Sequence, residues 1–375
     1  MAKPTINDIA KALGITPSTV SRALAGNTRV SATTRALIEK KAAEIGYERN
    51  MLASSLRKGV TDTVGMIVPR VNRQFFSNVI SGAEAILNPA GYNLIICQSH
   101  ERREDEKRAI ATLMRNQVAG FIVSHSLETT SPDCFREIID AGLALVQFDR
   151  VFSDLESVKV TNDNFAGAYL ATKHLIKSGY KRIGHLAGDS ISNVYNDRLN
   201  GYRSALTDTG LQIDESIIFT DSITRDKGFY NMAKALEHGC DALYCAGDYA
   251  ALGVLEYARH NNIAVPNSFG VVGTANENFA ELLTPALTTL EQNAFDMGNR
   301  AAQAFLDIRA GKVAQEASIM VPMRLIVRDS STKNNNEKIF GISPAGNINT
   351  VTNEAFADVY TWCSVEGYID YICPQ

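Results

Sequence analysis

Apolar positions along this chain repeat with two different periods, and the period changes near residue 60. In "TINDIAKALG" (5–14), Ile6, Ile9, Ala10 and Leu13 follow the i, i+3, i+4, i+7 spacing of one helix face. "GITPSTVSRAL" (14–24) breaks that pattern and at once resumes it. Thr5 with Asp8 three residues on is a variant capping box, so the first helix begins at Thr5. Gly14 supplies the left-handed residue that ends it. Thr16 then caps a second helix, with Pro17 at the first position, where no amide is needed. Two short helices joined by about three residues have helix-turn-helix geometry. "VSATTRALIEKKAAEIGY" (30–47) predicts a third helix, capped by Ser31, with Leu37, Ile38, Ala42 and Ile45 packing on the first two. Residues 1–49 therefore read as an all-α helix-turn-helix head.

From residue 62 short apolar runs alternate with amphipathic helices. "VGMIVPR", "YNLIICQS", "GFIVSH" and "LALVQFD" predict strands, separated by helices such as "FFSNVISGAEAIL" and "REDEKRAIATLMRN". The series resumes with "IGHLAG", "ALYCAG" and "FGVVGT". Strands apolar on both faces, with helical crossovers, imply parallel sheets covered on both sides. Residues 62–331 hold more of this pattern than one sheet needs. The reading is an α/β two-lobed body with a cleft, and ligands in such folds bind beyond the carboxyl ends of strands. Residues 50–61 join head to body. Ala53 and Leu56 there share one helical face, but a helix so short is marginal in water, and composition alone favours a flexible linker.

Charge adds a function to the head. Residues 1–60 carry ten Lys and Arg against four Asp and Glu, a net +6, so in a chain of net −4 the remainder holds −10. A basic module on an acidic body fits a polyanion-binding head. Helix two offers Pro17, Ser18, Thr19, Ser21 and Arg22, hydroxyls for phosphates and an arginine for a guanine edge. Each alone is an ordinary solvated residue. With the turn and the charge, they predict a contact with double-stranded DNA.

Other classes are weakened. No apolar run reaches membrane-spanning length and no apolar signal region opens the chain, so the expectation is a cytoplasmic protein with no membrane partner. The six Cys form no CxxC pair and no metal spacing with the six His, which predicts reduced core thiols and no metal site. GxGxxG, GxxxxGK[ST], GxSxG and HExxH are absent, so neither enzyme chemistry nor a cofactor is expected.

"TINDIAKALGITPSTVSRALAGNTRVSATTRALIEKKAAEIGYERN" resembles the DNA-binding head of the lactose-repressor (LacI/GalR) family of bacterial transcription regulators. The likeness continues through "LASSL", "FFSNVISGAE", "DNFAGAYLATKHLIKSGYKRIGHLAG", "RLNGYRSAL", "VVGTANE", "LTTLEQ" and "VPMRLIVRDSS", about residues 4–331. It implies a body resembling periplasmic sugar-binding proteins, a small-molecule effector between the lobes (a sugar or sugar derivative), and a homodimer binding a palindromic operator. It extends the DNA-binding set to Thr5, Asn27, Arg29 and Ser31. It also makes the linker a hinge helix, with Asn50, Ala53 and Arg57 at the DNA and Leu56 wedged into the minor groove. Arg49 stands where the family often has proline.

For the effector the resemblance points to Asn72, Phe75 and Phe76 after the first strand, although a Phe pair opening a helix is commonly core. Asp149, Asp163 and Asp248 match polar lining positions, and Arg198 matches the effector-anchoring arginine. The family's aspartate after "VVG" is missing, with Asn276 or Glu277 in its place. Residues 332–375 lie outside the resemblance as an extension of unassigned role. The alternative to a repressor-type regulator is a solute-binding protein with no regulatory part, which the basic head opposes.

Overall fold

A computed structural model describes residues 4–24, 27–47, 61–312 and 316–333 of the 375-residue chain. The head contains α1 (Ile6–Leu13), α2 (Pro17–Leu24) and α3 (Ala32–Glu44). Ile9, Ala10, Val20, Ala23, Ile38 and Ala42 make its core. The expected capping box forms around Thr5 and Asp8, with Asp8 accepting from the Thr5 amide at 2.8 Å and from the Thr5 hydroxyl at 2.8 Å. Gly14 ends α1 at φ +65°. Thr16 caps α2 through the Thr19 amide, and Ser31 caps α3 through that of Thr34. Leu37 departs from expectation. It is 54% exposed, because the helix turns only Ile38, Ala42 and Ile45 toward the core.

The body has two six-stranded sheets. The first contains β1 (Thr63–Val68), β2 (Asn93–Gln98), β3 (Gly120–Val123), β4 (Ala144–Phe148), β5 (Val158–Asn162) and, from far along the chain, β11 (Ala317–Val321). The second contains β6 (Ile183–Leu186), β7 (Ile218–Phe219), β8 (Ala242–Cys245), β9 (Gly270–Thr274), β10 (Thr288–Glu291) and β12 (Arg324–Ile326). Every pairing is parallel except β10 with β12. Each sheet has an apolar cluster on both faces, as covered parallel sheets require. The edge strands are less covered: on β2, Ile95 and Ile96 are 40% and 39% exposed, and on β11 Met320 is 59% exposed.

Helices α4 (Gln74–Leu87), α5 (Arg103–Arg115) and α6 (Asp133–Asp140) belong to the first lobe, as does the returning α11 (Ala294–Arg309). The second lobe has α7 (Asn164–Lys177), α8 (Asn193–Thr207), α9 (Arg225–Glu237) and α10 (Asp248–His260). Close crossings use glycine. A Cβ on Gly82 or Gly298 would strike the opposite backbone where α4 meets α11, and Gly228 and Gly253 do the same for α9 and α10.

The chain passes between lobes three times, after Asn162, at Gln292 and after Val321. One buried side chain ties these crossovers together. Asn162 Nδ2 donates to the carbonyls of Gln292 (2.8 Å) and Val321 (3.1 Å), and its Oδ1 accepts from Gln292 Nε2 at 3.2 Å. Among the described residues no helix is long and apolar enough to cross a membrane.

Candidate functional site

The predicted DNA face lies on α2 and the turn after it. Pro17, Ser18 and Arg22 are exposed, Thr19 and Ser21 half-buried, while Val20 and Ala23 face the core. Asn27, Arg29 and Ser31 are exposed as well. Asn27 Oδ1 accepts from the Arg29 amide at 3.0 Å, and its carbonyl accepts from Arg35 Nη2 at 2.9 Å, which fixes the turn into α3. Thr5 and Ser31 both work as caps, so their hydroxyls are shared with the head's own structure. Asn50, Ala53, Leu56 and Arg57 lie outside the described residues, as does the extension from residue 334.

Between the body's lobes lies a cleft of about 140 Å³. Phe75, Phe76, Asp149, Arg198, Asp248 and Glu277 all line it. Arg198 is 4% exposed on α8. Its Nε donates to Asn164 Oδ1 at 2.9 Å and its Nη1 to the Ala246 carbonyl at 2.7 Å, and Nη2 donates to no other described residue. The guanidinium is thus anchored on two sides and retains donors for a ligand.

Asp149 sits at the end of β4 with φ +58°, a backbone state that non-glycine residues seldom adopt outside strained or functional positions. Burial pushes its carboxyl above the usual range, and Arg150 and Arg198 pull it back. Arg150 is itself held by Glu101 at 2.7 Å.

Asp248 lines the cleft but is largely committed to structure. It accepts from the Thr289 hydroxyl at 2.6 Å and the Glu277 amide at 2.8 Å. Burial pushes its pKa up to about 6, those two bonds opposing the rise. The turn it holds carries Ala275 at φ +123°. Glu277 is buried on that turn, and desolvation raises its carboxyl while Arg73 lowers it.

Three predicted positions fall elsewhere. Asp163 caps α7 through the Ala166 amide at 2.9 Å and is not in the cleft lining. Asn276 turns away to Glu291 (2.8 Å) and Arg328 (2.9 Å), bracing the second crossover. Asn72 is exposed in the turn before α4. The Asp163 and Asn276 side chains serve the fold, while that of Asn72 stands in solvent.

Residues that the sequence reading missed complete the lining. Arg70, Arg73, Arg150, Tyr195, Tyr249 and Gln292 all face the cleft. Tyr195 was findable, being three residues before Arg198 and so on the same helical face. Arg150 directly follows Asp149. Tyr249 carries the Arg73 guanidinium 3.8 Å above its ring, and Asn278 donates its amide to Gln74, so the lobes touch on that flank. On the other flank Asn193 donates to the Asp149 carbonyl at 3.2 Å and accepts from the Val151 amide at 3.1 Å.

A small basic helix-turn-helix head on a two-lobed, cleft-bearing α/β body is the architecture of a DNA-binding regulator. Known proteins agree. Residues 5–50 match the family described as bacterial regulatory proteins, lacI family, and residues 172–331 match a periplasmic binding protein-like domain. The HTH-type transcriptional regulator RegA of Clostridium saccharobutylicum is 32% identical over 332 residues, 87% of this chain and 99% of that one. A solved complex of the transcriptional regulator CelR with cellobiose has a TM-score of 0.67 at 27% identity, covering 88% of this chain and 100% of the other. The lac repressor dimer bound to operator has a TM-score of 0.78 at 22% identity over 88% and 100%, a likeness of fold. The chain belongs to the LacI family of bacterial transcription regulators.

Proposed function

We propose that this protein is a dimeric repressor that binds a palindromic operator and is switched by a sugar or sugar derivative held between its lobes. The observation that carries the reading is Arg198, buried at the cleft wall, anchored through Nε and Nη1, with its remaining donors uncommitted. Tyr195 and Phe76 line the same space and offer flat apolar surfaces to a ring. Asp149 and Glu277 supply acceptors for hydroxyl protons. CelR, a relative, is known in complex with cellobiose, which supports a carbohydrate. Closing or parting the lobes about the Asn162 crossovers would change the spacing of two heads in a dimer. A ligand can shift that equilibrium only by its difference in affinity for the two states.

The test has two stages. A thermal-shift screen of neutral sugars and sugar acids should raise the melting point for some of them, because ligand binds the folded state. Those ligands should then change affinity for a palindromic duplex selected from random DNA. A ligand that stabilises the body without altering operator affinity would sink the regulatory reading and leave a binding protein.

A further inference from the structure

Beside the cleft, beyond the Asn193 bridge, the lobes enclose a second cavity of about 270 Å³, roughly twice the volume of the first. We infer that this cavity is a second sugar-ring subsite, so that the effector is at least a disaccharide in size. The inference rests on the proposal that a sugar occupies the cleft.

The cavity has the marks of a built site. The loops after β3 and β4 wall it from the first lobe, and the turn Asp189–Asn193 walls it from the second. The 15-residue helix α8 starts there. Its first amides have no intrahelical acceptor, and Ser192 in the N-cap position makes no capping bond to them. Ser192 is 3% exposed and lines the cavity, and its hydroxyl has no hydrogen-bond partner among the described residues. A buried hydroxyl without a partner is costly, and a ligand oxygen or hydroxyl in the cavity would satisfy it.

The surroundings select a neutral ligand over an anion. Two carboxylates, Asp154 (3.5 Å from Arg136) and Asp189, line the space, and among the described residues no lysine or arginine lines it. His125 also lines it and bonds the Ser126 carbonyl through Nδ1. Burial pushes this imidazole down to about 4, so it is uncharged at neutral pH. Carboxylates accept from hydroxyl groups, while the Ser192 hydroxyl and the α8 amides donate to them. A stacked His125–Phe152 pair, ring centroids 4.3 Å apart, and the 70% exposed Ile191 add apolar surface. Many hydroxyls on an apolar ring frame meet all of these demands.

Continuity links the two spaces. Asp149 and Arg150 face the cleft and Val151 to Asp154 the cavity, while Val194 and Tyr195 face the cleft and Ser192 and Asn193 the cavity. The Asn193 side chain is the bridge standing between them, and on this inference it must swing aside for a glycosidic link to pass.

Calorimetry on the full chain tests this with cellobiose, maltose and lactose, the monosaccharides glucose and galactose, and glucuronic and galacturonic acids. A disaccharide should bind wild type about tenfold or more tighter than its constituent monosaccharide, the scale of one satisfied buried hydrogen bond. Ser192→Ala should remove that advantage and leave monosaccharide affinity unchanged, and Asn196→Ala, which truncates another side chain lining the cavity, should weaken the disaccharide alone. Arg198→Ala should weaken both. Disaccharides no tighter than monosaccharides, or a Ser192→Ala loss shared equally by both, would overturn the second subsite and leave the cleft reading standing. If none of the seven probes binds, both readings fall.

Discussion

The head and the cleft present their polar groups in opposite ways. On α2 the side chains proposed to meet DNA, such as Ser18 and Arg22, stand in solvent above a small core. In the body Asp149, Arg150, Arg198 and Asp248 are buried and locked by neighbours. DNA brings a large, charged surface that orders and desolvates loose side chains as it docks. A small ligand contributes few contacts, so its partners must already be ordered and their desolvation already met by fixed bonds. On the proposed reading, exposed chemistry marks the macromolecular face, and buried, half-satisfied chemistry marks the small-molecule face.

The largest effect should come from breaking the framework on which the buried set depends. Gly298→Val puts a branched side chain against the Val79 carbonyl where α11 crosses α4. It should cost about 1–3 kcal/mol or more, the usual scale for overpacking, seen as a lowered melting point of the body. Gly14→Ala in the head meets no atom within 4 Å and pays only for its φ of +65°, roughly 1–2 kcal/mol. A Gly298→Val loss no larger than that of Gly14→Ala would show that the crossing relaxes easily.

A second effect follows from the buried carboxylate behind the flank cavity. Glu106 accepts from the Ser126 amide at 2.7 Å and the Thr129 hydroxyl at 2.5 Å, and burial pushes its pKa up to about 7 from 4.5. The folded state thus holds this proton more tightly than the unfolded chain. Its contribution is fully present below about 4.5 and is lost as pH rises to about 7. His125 works against it. Its pKa falls to about 4 from 6.5, so its contribution grows as pH rises through that window. Glu106→Gln should gain on wild type between these limits, by at most on the order of 3 kcal/mol, in denaturant titrations at several pH values. A difference that does not change with pH would mean that Glu106 is ionised when folded.

Arg22→Ala sharpens the comparison from the exposed side. It should weaken specific DNA binding by roughly 1–3 kcal/mol while leaving helicity unchanged, since the side chain carries no part of the core. Equal weakening on random DNA would demote Arg22 to a phosphate contact.

Most of the fold was legible because its signals are local. Caps at Thr16 and Ser31, the Gly14 stop and the apolar runs of β1, β3, β4, β8 and β9 each announce themselves within a few residues. Strands β5, β10, β11 and β12 escaped because they are short or alternating and gain partners only across the sheet, β11 pairing with β5 from more than 150 residues away. Sequence position located the cleft but not the use of each side chain. Arg198, Asp149 and Glu277 line it, while Asp163 became a cap and Asn276 a brace for a crossover. Asp163 turned to a helix amide and Asn276 to the Glu291 and Arg328 side chains, and no periodicity encodes which partner stands beside a polar residue.

The central claim is that ligand in the cleft and DNA on the heads are coupled through one molecule. The most direct measurement is a pair of titrations: operator affinity with and without a sugar from the thermal-shift screen, and sugar affinity with and without operator. Linkage requires the two ratios to be equal, with coupling typically about 1–3 kcal/mol. Arg198→Ala should bring both ratios to one and leave sugar-free operator binding near wild type. A variant that still binds the sugar normally, or a wild type whose two ratios are both one, would contradict the account.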